Sequence, residues 1–108
     1  MLGAALALSC LACAPAAVHA SSNQPPVPIL KVAASAHAGD SVHVDGNDSS
    51  DVDGSVVDGF ILFGDGSDPV VGFVTDHVYA TPGLYLVELY IDDDKGARSR
   101  ARARITIE

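Results

Sequence analysis

Cysteine is nearly absent from this sequence of 108 residues: the chain contains Cys10 and Cys13, and none follows them. Beyond residue 20 the chain therefore has no disulfide bond and no thiol chemistry. The remaining 88 residues, 21–108, can form one domain but not two. A domain of this size buries only about 60–65% of its unfolded surface. Without a disulfide, a bound metal or a neighbouring domain would help to stabilise it.

Residues 1–20 are small or apolar and end in the small-x-small triplet Val18-His19-Ala20. This pattern predicts a secretory signal peptide, although no Lys or Arg precedes the apolar run. The run is short and interrupted by Pro15, which disfavours a membrane-spanning helix. A lipid anchor at Cys10 or Cys13 is a weaker alternative, because neither cysteine has the usual aliphatic residue three positions before it.

Basic residues are also scarce: six Lys and Arg face fourteen acids, which gives a net charge of −8. This balance argues against nucleic acid and anionic membranes as partners. Twelve of the acids are Asp and two are Glu. Because Asp favours turns and hard-cation sites while Glu favours helices, the bias indicates β-structure with acidic loops.

No segment has its apolar residues at helical spacing. Residues 21–28 form an extended entry segment, because its three prolines cannot donate to a sheet. Residues 29–108 show about seven short β-rich runs separated by turn residues, which predicts an all-β sandwich. The clearest runs are residues 29–34, 41–45, 56–63, 70–79, 84–92 and 97–107.

The last two runs divide into two faces, since successive side chains of a strand alternate. In residues 97–107, Ala, Ser and Ile occupy one face and Arg and Thr the other. In residues 84–92, the predicted inner face is Tyr85, Val87, Leu89 and Ile91.

Six short motifs give the chain a resemblance to a known family over about residues 23–107. They are Asn23-Gln24-Pro25-Pro26, Ser50-Asp51-Val52-Asp53-Gly54, Phe63-Gly64-Asp65-Gly66, His77-Val78-Tyr79, Pro82-Gly83-Leu84-Tyr85 and Asp93-Asp94-Lys95-Gly96. In combination they resemble the PKD (polycystic kidney disease) domain. That resemblance implies an immunoglobulin-like β-sandwich of about seven strands, common in secreted bacterial hydrolases and cell-surface proteins.

The sequence departs from the family pattern in the central run. Ile61-Leu62 stands where the family usually has Trp-Asp, and Gly59 stands where an aromatic residue is common. A large-to-small change in a core costs a few kcal/mol. We therefore expect a weaker core unless Phe73 or Tyr79 fills the space.

The resemblance also implies a calcium site, since some PKD domains bind calcium where the entry segment, the Asp-x-Asp-Gly loop and the Asp-Asp-x-Gly hairpin meet. Carried over to this chain, the ligands are Asn23, Asp51, Asp53 and Asp93, with Asp94 as a substitute. Clustered carboxylates and amide oxygens suit calcium, which takes six to eight oxygen ligands. The alternative is that these residues only shape turns.

In the sheet arrangement that the resemblance implies, one apolar set would point away from the core. It consists of Phe60, Leu62, Leu84, Leu86 and Tyr90. Four of the six basic residues would lie beside it, namely Arg98, Arg100, Arg102 and Arg104. Such a patch predicts a docking surface for a protein, a second copy or a polysaccharide. The alternative is that Asp58, Glu88 and Asp92 pair with the arginines.

His77 and Tyr79 share one face of a run and are expected to be structural, as is Tyr85, which takes the place of a tyrosine corner. The sequence has no nucleophile, metalloprotease or phosphate-loop motif. We therefore predict a non-catalytic binding or adhesion module that is secreted, periplasmic or on the cell surface. The alternatives are a structural spacer that accompanies a secreted hydrolase, or a fragment of a larger surface protein.

Overall fold

Eight strands make up the regular structure of residues 23–108, the part of the chain that the computed structural model describes. The predicted signal peptide and lipid anchor lie outside these residues. The strands are β1 (Lys31–Val32), β2 (Ser35–Ala36), β3 (Ser41–Asp45), β4 (Val56–Leu62), β5 (Val70–Val71), β6 (Val74–Val78), β7 (Gly83–Asp93) and β8 (Arg98–Ile107). The described residues contain no helix long and apolar enough to cross a membrane.

The strands form two sheets. One has the order β1-β3-β6 and the other the order β2-β8-β7-β4-β5. Neighbouring strands are antiparallel, except that β2 runs parallel to β8. This arrangement confirms the predicted all-β sandwich. It also confirms that the central strand and the last two strands share one sheet.

Two predicted runs differ from the observed strands. In residues 29–34 only Lys31–Val32 (β1) forms a strand, and β2 begins just after the run, at Ser35, in the other sheet. Residues 70–79 separate into β5 and β6, which also belong to different sheets. The second break falls at Gly72, which has φ of 125° and donates its N–H to the Gly59 carbonyl at 2.8 Å. In both places the chain crosses from one layer to the other, so one continuous strand cannot form.

The core lies between the layers and is built from alternate residues of the long strands. Its buried hydrophobic members are Val42, Val44, Ile61, Phe63, Tyr79, Val87, Leu89, Ile91, Ile105 and Ile107. In β7 the predicted inner face is confirmed, since Val87, Leu89 and Ile91 are fully buried. In β8 the arginines are exposed and the alternate residues face inward.

Phe73 occupies the space beside Gly59. A Cβ added at Gly59 would lie 2.6 Å from Cε1 of Phe73, too close for any real contact. The missing aromatic of the central strand is therefore replaced by one that reaches it from the connection between β5 and β6. Phe73 thus fills the space that the missing aromatic residue leaves, and its position requires a glycine at residue 59.

Candidate functional site

An acidic cluster lies at one end of the sandwich, where three segments meet. The entry segment supplies Asn23, the loop between β3 and β4 supplies Asp51, and the hairpin between β7 and β8 supplies Asp93 and Asp94. One carboxylate oxygen from each of the three aspartates lies within 4.8 Å of the other two. Four of the five predicted calcium ligands are thus brought to one place.

Asp93 is the structural centre of the cluster and is only 3% exposed. Its Oδ1 accepts hydrogen bonds from the backbone N–H groups of Lys95 at 2.9 Å and Ala97 at 2.8 Å. Its Oδ2 accepts one from the Asn23 amide at 2.6 Å. Burial favours the protonated acid, but these hydrogen bonds outweigh it and lower the pKa of Asp93. The carboxylate therefore stays ionised and joins the hairpin to the entry segment.

Two oxygens of the cluster are buried without a hydrogen-bond partner among residues 23–108. They are Oδ1 of Asn23 and Oδ2 of Asp51. Desolvation raises the pKa of Asp51, as do its side-chain interactions with Asp53 and Asp93, and these outweigh the backbone N–H of Asp53, which lowers it. A buried acceptor without a donor is costly. Both atoms are hard oxygen donors beside carboxylates, so the residues fit a calcium ion in number and kind.

Asp53 lies beside the three-carboxylate group but is not part of it. Its Oδ2 accepts the backbone N–H of Gln24 at 2.8 Å, and its carbonyl accepts the Lys95 ammonium at 2.7 Å. The Gln24 hydrogen bond is the main cause that lowers the pKa of Asp53, and the Lys95 charge adds to it. The predicted role of Asp53 as a ligand therefore rests on the resemblance, while its contacts fasten the entry segment.

Gly54 leaves room for the Asp94 carboxylate because it has no side chain. A Cβ at this residue would collide with the Asp94 carboxylate. That carboxylate accepts the backbone N–H of Ser55 at 3.1 Å. A larger residue at position 54 would therefore displace the Asp94 carboxylate from its present position.

The outer face of the five-stranded sheet carries the predicted apolar patch and the arginine row. The patch consists of Phe60, Leu62, Leu84, Leu86 and Tyr90, and its members alternate along β4 and β7 with residues that face the core. Leu84 is 65% exposed, and the other four are partly covered by their neighbours. The patch and the arginines thus form one continuous surface, as predicted.

Half of the arginine row is paired and half is not. Arg98 makes a two-pronged ion pair with Asp92, with distances of 2.6 and 3.0 Å. Arg100 lies 3.8 Å from a Glu88 carboxylate oxygen. Among the described residues, Arg102 and Arg104 have no carboxylate within ion-pair distance, and Asp58 pairs with none of the row. The predicted ion-pairing alternative therefore accounts for only two of the four arginines.

The paired half of the surface also closes over its aromatic rings. Phe60 and Tyr90 are cross-strand partners and stack with centroids 4.9 Å apart and planes 7° from parallel. The Arg98 guanidinium lies 5.2 Å from the Phe60 centroid, and that of Arg100 lies 5.9 Å from the Tyr90 centroid. These contacts leave the rings engaged with the protein itself.

The unpaired half is an open groove of about 560 Å³. Its outward side chains are those of Leu84, Leu86, Arg102 and Arg104. Apolar side chains here adjoin guanidinium groups that have no internal partner. This part of the surface is therefore the better candidate for an external ligand.

The opposite end of the sandwich from the acidic cluster contains a chain of aromatic contacts. Phe63 and His77 stack at 3.8 Å, His77 meets Tyr79 edge-on at 4.7 Å, and Tyr79 contacts Tyr85 at 4.5 Å. The Tyr79 hydroxyl donates to the Phe63 carbonyl at 2.7 Å, and that of Tyr85 donates to the Thr81 carbonyl at 2.6 Å. The structural roles expected for these residues agree with these contacts.

Asp65 lies at the same end of the molecule, beside His77. Its Oδ2 lies 2.7 Å from Nε2 of His77, and its other oxygen accepts hydrogen bonds from Ser67. Burial acts in the opposite direction, but these contacts lower the pKa of Asp65 to about 2. Burial, with the nearby Asp65 charge, raises the pKa of Tyr79 to about 12.

A further cleft of about 740 Å³ was not predicted from the sequence. It lies between β1, β2 and β3 and includes His37, Asp40 and His43 in its lining. It exists because the chain leaves one sheet for the other after β1. The only signal in the sequence was the alternation of residues 41–45, which placed His43 opposite the buried Val42 and Val44.

A search of curated proteins gave no match to this chain. Among solved structures, one of a carbohydrate-binding module of the β-sandwich superfamily superposes with a TM-score of 0.74 and 28% identity. The match covers 80% of this chain but only 35% of that one, so the present chain spans about a third of its length.

Two other solved structures match over nearly their whole length. The PKD1 domain of Vibrio anguillarum Epp has a TM-score of 0.69 and 30% identity, with 81% of this chain and 98% of that chain covered. The PKD1 domain of the Vibrio cholerae metalloprotease PrtV has a TM-score of 0.68 and 28% identity, with 79% and 99% covered. The family profile described as PKD domain matches residues 23–107. Together with the sandwich, these matches show that the chain belongs to the PKD domain family.

Proposed function

We propose that this PKD domain is a non-catalytic binding module of a secreted, periplasmic or cell-surface protein. It contacts a protein or a polysaccharide through the outer face of its five-stranded sheet. The observation that carries the proposal is the open groove, where Arg102 and Arg104 form no ion pair with any described residue and lie beside the exposed Leu84. Unpaired guanidinium groups beside apolar side chains are common at protein interfaces.

The comparisons support this class of function. Carbohydrate-binding modules are among the similar structures, and a PKD1 domain of similar sequence belongs to a metalloprotease. Both kinds of domain accompany other parts of larger proteins. An accessory module of this kind needs a recognition surface and no catalytic centre.

The proposal is tested by changing Leu62 and Leu86 to Ser on the outer face. Binding is measured by pull-down on insoluble cellulose and chitin, and self-association by sedimentation. The matched control is Val78→Ser, which removes an apolar side chain that is 52% exposed on the other sheet. We expect the double variant to lose whichever association the parent domain shows, and the control to retain it. Association that survives the double change would contradict the proposal.

A second candidate function is that of a spacer beside a catalytic domain. It is favoured by the similarity to the PKD1 domain of a metalloprotease. A spacer should bind none of the probes, and substitutions on the outer face should leave its properties unchanged. An association that the Leu62 and Leu86 substitutions abolish would therefore exclude the spacer.

We further propose that calcium binds at the acidic cluster. Asn23, Asp51, Asp93 and Asp94 would hold the ion, and two of the donor atoms they offer have no other partner in the part of the chain that the structure describes. The ion would neutralise the mutual repulsion of the carboxylates. It would also join the entry segment, the loop before β4 and the β7–β8 hairpin, which stiffens one end of the module.

A further inference from the structure

One edge of β8 is open for most of its length. On one side β8 pairs with β7 from Arg98 to Ile107. On the other side β2 pairs only with Thr106 and Ile107. Within residues 23–108, no other strand forms backbone hydrogen bonds with β8 between Arg98 and Ile105, although β1 packs near it from the other sheet. The open edge is thus defined as residues 98–104 of β8.

The hydrogen bonds at the end of β8 show which backbone groups face this edge. The N–H groups of Thr106 and Glu108 donate to Ala34 and Ala36, both at 2.9 Å. Successive residues of a strand direct their N–H and C=O groups to opposite sides. Even-numbered residues of β8 therefore face the open edge, and odd-numbered residues face β7. The unpaired backbone groups belong to the four arginines, Arg98, Arg100, Arg102 and Arg104.

The charge along this edge limits what can pair with it. A second copy that paired its own β8 here would bring one arginine row beside another, and like charges on adjacent strands are destabilising. A strand with acidic side chains at alternate positions would instead meet the arginines on the same face. Among residues 23–108, neither Arg102 nor Arg104 forms an ion pair, although Glu88 lies opposite Arg102 across β7 and β8, so both guanidinium groups can meet carboxylates of an added strand.

We propose that an extended acidic segment of a partner protein adds as a strand along residues 98–104 of β8. Backbone hydrogen bonds to the even-numbered residues supply affinity, and alternate carboxylates on Arg102 and Arg104 supply specificity. This inference rests on the proposed function, since the arginines belong to the same surface. It narrows the partner to a protein, because a polysaccharide has no backbone amides to continue the sheet.

The test uses a synthetic peptide of alternating threonine and glutamate, long enough to span the open edge, in low-salt buffer. Amide hydrogen exchange is followed by NMR. We expect the peptide to slow exchange at Arg98, Arg100, Arg102 and Arg104 by about tenfold or more, which corresponds to about 1.4 kcal/mol. The amides of Ser99, Ala101 and Ala103 already pair with β7 and should not change.

Two control peptides separate the backbone from the charge. In one, lysine replaces glutamate; in the other, alternate backbone nitrogens are methylated so that they cannot donate. Neither should slow exchange at the arginines. In the protein, Arg102→Glu with Arg104→Glu should weaken binding of the acidic peptide by about tenfold or more. Arg102→Pro should weaken it more than Arg102→Ala does, since proline removes an N–H that faces only the open edge.

The outcomes distinguish this inference from the proposed function. Failure of the acidic peptide to bind, or equal slowing by the methylated peptide, would overturn strand addition. Binding that perturbs Leu84 and Leu86 but leaves the arginine amides exchanging freely would also overturn it, while supporting docking on the outer face. If Arg102→Pro does not fold, the exchange pattern of the unaltered domain with the three peptides still decides the question.

Discussion

The two ends of the sandwich differ in whether their buried polar groups have partners within the protein. At the tyrosine end, formed by Phe63, His77, Tyr79 and Tyr85, both hydroxyl groups donate to backbone carbonyls and the rings contact each other in sequence. At the acidic cluster, two buried oxygens have no hydrogen-bond donor among residues 23–108, and three carboxylates lie close together. The buried polar groups of the tyrosine end are therefore paired within the chain, whereas those of the acidic cluster are not.

The same strand connects both ends, because β7 begins at Gly83 near the tyrosines and ends at Asp93 in the cluster. The contrast is therefore one of chemistry and not of fold. Packing, the tyrosine hydrogen bonds and the internal Asp65–His77 pair hold the tyrosine end, so it needs no bound cation. Like-charge repulsion at the cluster should make the stability of the other end depend on a cation.

The largest effect should come from removing the centre of the tyrosine end. Tyr79 is 1% exposed, and Tyr79→Ala should lower the free energy of unfolding by about 3–5 kcal/mol, as for other buried aromatic side chains. Tyr79→Phe keeps the ring but leaves the Phe63 carbonyl without its donor, which should cost about 1–3 kcal/mol. Urea denaturation measures both. A loss below about 1 kcal/mol for Tyr79→Ala would show that this end is not the packed half of the molecule.

Calcium should stabilise the acidic end alone. With Kd near ~0.1 mM, a few millimolar calcium would add about 1.5–2 kcal/mol, or roughly 6–15 °C in the thermal midpoint measured against excess EDTA. Asp51→Asn or Asp93→Asn should abolish the rise. The control Asp76→Asn removes a carboxylate from the other sheet and should retain it. An unchanged midpoint in the parent domain would reduce the cluster to turn-forming residues.

Acid should weaken the tyrosine end through Asp65. The pKa of this carboxyl is lowered to about 2 in the folded protein from 3.8, so its ionised form favours folding above that range. The stabilisation is lost as the pH falls from about 4 to about 2 and should amount to about 1–2 kcal/mol. Thermal midpoints across this interval, in EDTA, measure it. Asp65→Asn should remove this part of the pH dependence; a profile that is identical in the variant would contradict the assignment.

The two faces of the long strands could be predicted from the sequence, because strand alternation is a local property. The arginine row of β8 and the buried face of β7 follow from a period of two. The breaks after β1 and at Gly72 could not be predicted in the same way. Val71 and Phe73 beside Gly72 have high β propensity, and the Ala and Ser residues after β1 contain no turn signal, so only pairing with two different sheets separates the strands.

The site was partly predictable for a different reason. The meeting of Asn23, Asp51 and Asp93 was inferred from family resemblance, since no local pattern relates residues so far apart in the chain. The packing of Phe73 on Gly59 and the stack of Phe60 on Tyr90 depend on which residues lie opposite each other across sheets and strands. The open edge of β8 depends on how short β2 is, which propensity does not determine.

The smallest effect should come from removing the exposed hydrogen bond of the tyrosine end, which the Tyr85 hydroxyl makes. The Tyr85 hydroxyl donates to the Thr81 carbonyl near solvent, so Tyr85→Phe should cost only about 0.5–1.5 kcal/mol by urea denaturation. After Tyr85→Phe, water can reach the Thr81 carbonyl, whereas the Phe63 carbonyl bound by Tyr79 is enclosed. A loss for Tyr85→Phe as large as that for Tyr79→Phe would mean that the Thr81 carbonyl is as enclosed as the Phe63 carbonyl. The internally hydrogen-bonded tyrosine end would then extend to the start of β7.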